Sequence, residues 1–294
     1  MLSKTQEQFM LQAKEATNNK DYDKAIAILE EANSFEEADQ IVSLIIANLL
    51  LADQKFEAYL RLQDFSDLFA NEANFITYLQ VLQANHYLIE KLQVLTQLKK
   101  LPRAEAEKLQ KLAQAYPVMA VATSEIPAVT KQFRQADNQI EPEILASILV
   151  LPLEDYLDLV EYLVQVKYTE PLIRNVLFEE LVKLDVNVEL QIEILGNQVT
   201  VNPHQYGVFK DSQILFDGLL LIEKVAPQNP IFNRQIKAQF IYILTQLYPI
   251  ENDFIKDLDF FIKTLVAVIE NGGEDLPEEM MTSAEYQLIM ATIH

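Results

Sequence analysis

The sequence predicts an all-α protein, an array of antiparallel helix pairs with one inserted β-hairpin over residues 188–202. Three observations carry that expectation. Glycine is scarce, at 5 of 294 residues, where ordinary chains carry roughly 7%. Sheets with tight turns and phosphate-cradling loops need glycine for positive φ and close backbone approach, whereas long helices joined by short polar turns do not. Leu, Ala, Gln, Glu and Lys, which lose little rotamer freedom in a helix, are abundant. The exception is one short stretch, 188–202, where apolar and polar residues alternate with the period of a strand.

Half of the residues are hydrophobic, enough for a substantial core. With no cysteine, neither a disulfide framework nor a thiolate zinc site is available. That suits a reducing compartment, and the expected location is cytoplasmic. Residues 1–7 have no apolar signal region, and the apolar runs 41–52 and 238–250 fall short of the roughly 20 residues a membrane-spanning helix needs. The net charge of −21 is spread along the chain, and no third of it is basic. A phosphate backbone therefore finds no electrostatic footprint, and a protein or peptide partner is expected instead of nucleic acid; the acidic charge reads as a solubilising surface, with a basic partner as the functional alternative.

The first helix reads as Ser3–Thr17, with Phe9, Ala13 and Ala16 on its packing face. The second lies within Lys20–Ala32, where Tyr22 precedes the small Ala25 by three residues, Leu29 follows four later and Ala32 three after that. A step of about 34 residues, the length of a helix–turn–helix repeat unit, carries Met10 to Leu44, Ala13 to Ala47 and Tyr22 to Phe56. A second step reaches Val81 and Glu90 with a weaker likeness. Ala13, Ala25 and Ala47 are expected at buried helix contacts. After Lys100 the helices continue without a clear period. Pro102 opens one that ends near Tyr116, 118–123 is a connector, and Ser124–Pro127 starts another helix. A boundary is placed near Asp137–Glu141, giving regions 1–137 and 138–294. Helices are expected at Glu141–Leu151, Pro152–Val166 and Thr169–Leu184, each with proline in its first turn.

In the hairpin, Val188, Leu190, Ile192 and Ile194 alternate with polar residues, and Val199 and Val201 resume the pattern. Gly196-Asn197 is the expected two-residue loop, which sets Ile194 opposite Val199 and Ile192 opposite Val201, with Glu193 meeting Thr200 on the polar face. Neighbouring helices are expected to cover the apolar face, while an outer edge is left for a partner strand or a second copy, a homodimer. Helices then follow at Ser212–Val225, Asn229–Tyr248 and Asn252–Glu270, and 274–294 is an acidic, weakly amphipathic tail.

Residues 3–69 resemble the tetratricopeptide-repeat (TPR) family through the residues just named. A weaker likeness over residues 168–203 is to TPR-containing cytosolic proteins of low-GC Gram-positive bacteria. The resemblance implies a TPR/HEAT-like α-solenoid and a non-catalytic scaffold or adaptor that binds a protein segment in a concave groove. The alternative it leaves open is a TPR-type peptide-sensing regulator. Carried over in the register of the same step, the groove positions are Glu7, Met10, Lys14, Ile41, Leu44, Asn48, Phe75, Tyr78 and Leu82. Lys14 and Asn48 resemble part of the carboxylate clamp of chaperone-tail TPRs. The third first-helix, Asn71–Asn85, holds no Lys or Arg, so that clamp is not expected.

The sequence assigns no catalytic, cofactor or metal residue. His86, His204 and His294 are far apart in sequence, without a partner at ligand spacing. Adjacent acidic pairs such as Glu154-Asp155 point about 100° apart on a helix and form solvated faces, not acid–base dyads. No enzyme activity is expected.

Overall fold

The computed structural model describes residues 3–65, 71–120, 142–165, 171–225, 229–271 and 276–293. Helices make up 76% of these, and the sheet among them is one antiparallel pair of strands. The chain divides into two compact units, residues 1–129 with 142–156, and residues 130–141 with 157–294. The expected boundary near Asp137–Glu141 and the helix start at Ser124–Pro127 lie outside the described residues.

The first unit opens with three helix pairs: α1 (Lys4–Asn18) with α2 (Tyr22–Phe35), α3 (Asp39–Leu51) with α4 (Lys55–Leu60), and α5 (Glu72–Asn85) with α6 (Leu88–Leu98). A 3-10 turn at Arg61–Asp64 extends α4, and α7 (Arg103–Ala115) packs on α5 and α6. Helix α8 (Pro142–Ile148) follows. Ser3 and Gln6 form a capping box at the start of α1. The buried Gln6 amide also donates to Ala32 O and to Glu36 O at the end of α2, so the two helices run antiparallel. Asn85, at the end of α5, donates likewise to Lys55 O at the start of α4, at 2.9 Å.

The turns inside the three pairs are the same turn. Lys20, Asp53 and His86 sit in the left-handed region at φ 61°, 60° and 62°. In each, the left-handed residue donates to the carbonyl three back (Thr17, Leu50, Gln83), and its successor donates to the carbonyl five back (Ala16, Leu49, Leu82). This is the Schellman arrangement, which satisfies carbonyls that a helix end leaves open. Asp185 at φ 59° closes a helix of the second unit with the same two bonds. Glycine is the usual residue there, and this glycine-poor chain builds the turn without it.

Lys20, Asp53 and His86 recur at equal intervals, and they fix the repeat one residue shorter than the expected step. The small residue Ala25 then corresponds to Ala58, and both are fully buried. Ala13 is buried as expected, but Ala47 is exposed, and its place in the core is taken by Ile46. At the third pair the small position becomes Lys91, whose ammonium donates to Tyr116 O at 2.6 Å. Burial lowers its pKa.

In the second unit, α9 (Leu153–Gln165), which begins in the first, leads to α10 (Pro171–Lys183) and then to β1 (Leu190–Ile194) and β2 (Asn197–Val201). Beyond two 3-10 turns come α11 (Gln213–Val225), α12 (Pro230–Leu247), α13 (Glu251–Phe254), α14 (Leu258–Asn271), α15 (Glu278–Met281) and α16 (Ala284–Ile293). The single helix expected at Asn252–Glu270 is broken, because Asp257 accepts from Phe260 N and starts α14 afresh. The tail docks through α16 on α12 and α14, burying Leu288 and Ile289. Phe240 and Phe261 form part of the core, and a Cβ on Gly218 of α11 would stand 2.1 Å from Phe240 Cζ. That glycine is what lets α11 and α12 approach.

The hairpin register differs from the expected one. Ile192 pairs with Val199, Leu190 with Val201, Ile194 with Asn197, Glu193 with Gln198 and Gln191 with Thr200. The loop is Leu195-Gly196, with φ 49° and 78°, so both central residues have the positive φ of a type I′ turn. Glycine occupies the second central position, where the expected loop placed it first. The shift changes the partners but not the faces: Leu190, Ile192, Ile194 and Val201 are buried, and Val199 half-buried.

Candidate partner-binding groove

A groove of about 960 Å³ runs across the first helices of the three pairs. Helix α1 supplies Glu7, Met10, Leu11 and Lys14; α3 supplies Gln40, Ser43, Leu44, Ala47 and Leu51; and Ala73 stands at the start of α5. The shorter repeat explains the pattern, since Glu7, Gln40 and Ala73 are equivalent positions, as are Met10 and Ser43, and Lys14 and Ala47. Apolar surface dominates the lining. Leu11 is 69% exposed and Leu51 55% exposed, while Met10 and Leu44 are half-buried.

Polar side chains hold the groove helices together. Thr17 Oγ1 donates to Asn48 Oδ1 at 2.7 Å, tying α1 to α3, and Asn48 Nδ2 returns a bond to Leu44 O at 2.8 Å. Asn74 Nδ2 donates to Asp39 Oδ2 at 2.7 Å, tying α5 to α3, while Asn71 caps α5 through Asn74 N. Asn48 and Asn74 are buried, so desolvation of each is offset by these bonds. The result is a pre-formed surface with two cross-braces, and Lys14 and Glu7 lie exposed on it.

Of the expected groove residues, Glu7, Met10, Lys14, Leu44 and Asn48 line it. Ile41, Phe75, Tyr78 and Leu82 do not: they are buried, at 0%, 0%, 6% and 0% exposure. The cause is the period. Each residue of register error rotates a helical position by about 100°. One repeat on, the error is a single residue, which leaves Leu44 and Asn48 at the groove edge but turns Ile41 inward. Two repeats on, the rotation has doubled, and the assigned face of α5 points into the core. The same error hides Gln40, Ser43, Ala47, Leu51 and Ala73 from sequence reasoning, whereas Leu11, on α1 where no register error applies, is marked only by its exposure. The signal that finds them is the recurrence of short polar turns, Asn19-Lys20-Asp21 and Ala52-Asp53-Gln54, at the shorter interval.

Elsewhere, His204 Nδ1 lies 2.6 Å from Asp185 Oδ1, an exposed pair beside the hairpin. His86 serves as the left-handed cap of α5, and His294 lies outside the described residues. Among the described residues no three His, Cys, Asp or Glu side chains are gathered to hold a metal, and no helix is long and apolar enough to cross a membrane. No family model, no curated protein and no solved structure matches this chain.

Proposed function

We propose that the chain is a TPR-like, non-catalytic scaffold of the cytoplasm whose first unit holds a protein segment in the α1–α3–α5 groove. The observation that carries this reading is the groove itself, with leucines left exposed on helices that are otherwise cross-braced and packed. A contiguous apolar strip rimmed by polar residues on a stable framework is the form of surface that receives a partner segment. The net charge of −21 favours a partner whose segment combines apolar anchors with basic residues.

The test is site-specific photo-crosslinking from positions 11 and 51, with position 31 on α2 as control. A partner segment should crosslink from both groove positions and not from the control. Leu11→Asp with Leu51→Asp should remove that partner while the melting temperature holds, because both residues are already exposed. Crosslinks of equal yield from all three positions, or partner binding indifferent to the double substitution, would reject the groove.

A further inference from the structure

The two edges of the hairpin are not equivalent. In a two-residue hairpin the residues flanking the loop, Ile194 and Asn197, form a hydrogen-bonded pair. The main-chain groups of Gln191 and Glu193 on β1, and of Gln198 and Thr200 on β2, therefore point outward. On β1 two of them are taken: Arg174 Nη1 of α10 donates to Glu193 O, and Gln191 N donates to Gln165 Oε1 of α9. Arg174 is itself buried, with further bonds to Gln246 O and Asn175 Oδ1. Burial brings its pKa down to about 10, so the guanidinium stays charged. It occupies one acceptor of that edge and anchors the hairpin to α10 and the end of α12.

On β2 the outward N–H and C=O groups of Gln198 and Thr200 have no partner among the described residues, and both residues are exposed. None of the usual guards against edge pairing is present. The strand Asn197–Val201 carries no Lys, no Pro and no bulge. It also carries no charge, in a chain where 23% of residues are charged. Two copies of a protein at −21 meet most readily along such a neutral strip, and β1, with Glu193, does not offer one.

We infer that two copies of this chain join through β2, antiparallel about a two-fold axis at Val199, making a four-stranded sheet. The register follows from the free groups. Placing Gln198 opposite Thr200 of the other copy, and Thr200 opposite its Gln198, lets all the outward groups of these residues form ladder bonds at once. It repeats between copies the Gln–Thr pairing present within the hairpin, where Gln191 Nε2 donates to Thr200 Oγ1 at 2.7 Å. It also brings the two Val199 side chains together at a non-hydrogen-bonded site. Val199 is the half-buried member of an otherwise buried apolar face, so contact with its symmetry mate completes its cover. A strand from a different protein would satisfy the ladder too, but it would not inherit this self-complementarity.

The contact is small beside the roughly 1,600 Å² of a standard interface, so the expected dimer is weak and concentration-dependent. The chain has no cysteine, which makes disulfide trapping clean. Val199→Cys should crosslink under mild oxidation, because Cα atoms in a non-hydrogen-bonded antiparallel pair lie about 4.5 Å apart. Gln198→Cys should not crosslink to itself, but should crosslink when mixed with Thr200→Cys. Ala47→Cys serves as an exposed control. Thr200→Pro removes an outward donor without touching the β1–β2 ladder, and in the Val199→Cys background it should slow trapping about tenfold or more. Circular dichroism and melting temperature report whether that variant folds; if it does not, the cysteine pairings still decide the register. A sedimentation profile that stays monomeric to about 0.5 mM, with Val199→Cys no faster than Ala47→Cys, overturns the inference. So does a dimer whose cysteine pairings ignore the predicted register, since its contact lies elsewhere.

Discussion

At the scale of single residues, two kinds of position carry a conformational or electrostatic cost. The left-handed caps Lys20, Asp53 and His86 are exposed, and an L side chain in that region costs about 1–2 kcal/mol. Glycine relieves the strain but loses more backbone entropy on folding, so Lys20→Gly, Asp53→Gly or His86→Gly should each stabilise by about 0.5–1 kcal/mol. Thermal melting checks the sign, and a drop in melting temperature would mean that the side chain does more than occupy the turn. The second kind is Glu251, buried on α13, where desolvation raises the carboxyl pKa despite hydrogen bonds that include one from Ser212. The folded state then binds more protons than the unfolded state, so stability falls as pH rises from the ordinary value of 4.5 through the raised folded value. Glu251→Gln keeps an acceptor for Ser212 and cannot ionise. It should match the wild type near pH 4 and exceed it at pH 7, which denaturant titrations at the two pH values would compare. A variant weaker at pH 7 would show that the ionised carboxylate is held by contacts stronger than its desolvation.

Among the elements, the hairpin turn offers the sharpest local test. Leu195 sits at φ 49° before Gly196 at 78°, and Leu is a poor residue for the first central position of a type I′ turn. Leu195→Asn supplies the favoured Asn-Gly pair and should stabilise by about 1 kcal/mol, read as a shift in melting temperature. Helix existence is legible in the sequence from periodicity and helix-forming residues, and the hairpin from period-2 alternation, because both signals are local and repeated. Register is harder, since it depends on one residue. Gly196 marks the loop, but a glycine suits either central position of a primed turn, and only the backbone distinguishes Leu195-Gly196 from Gly196-Asn197. The repeat length fails for a related reason. Ala13 and Ala47 look equivalent by composition, yet the turns at Lys20 and Asp53 set the register, and they have no glycine to mark them. On α1 the groove is legible because no register error has accumulated. By α5 the error has rotated the assigned face into the core, so Phe75 and Tyr78 pass for surface residues.

For the whole molecule, the charge of −21 acts on both proposed contacts, and in opposite directions. Self-association brings two like-charged bodies together, so repulsion opposes it even where the touching strands are neutral. Raising salt from about 20 mM to 300 mM shortens the Debye length from roughly 20 Å to under 6 Å, which screens charges beyond the contact. Trapping of the Val199→Cys dimer should therefore quicken with salt. A basic segment entering the α1–α3–α5 groove is drawn by the same field, and its association rate should slow over that range while its dissociation changes less, because dissociation is governed by buried apolar anchors. Stopped-flow binding of the segment identified by crosslinking, run beside disulfide trapping across one salt series, separates the two. Opposite slopes fit two distinct contacts on one acidic chain. Parallel slopes do not: if both weaken with salt, the β2 contact depends on charges that lie outside the strand. If both strengthen, the groove partner is acidic or neutral and is held by apolar contact alone.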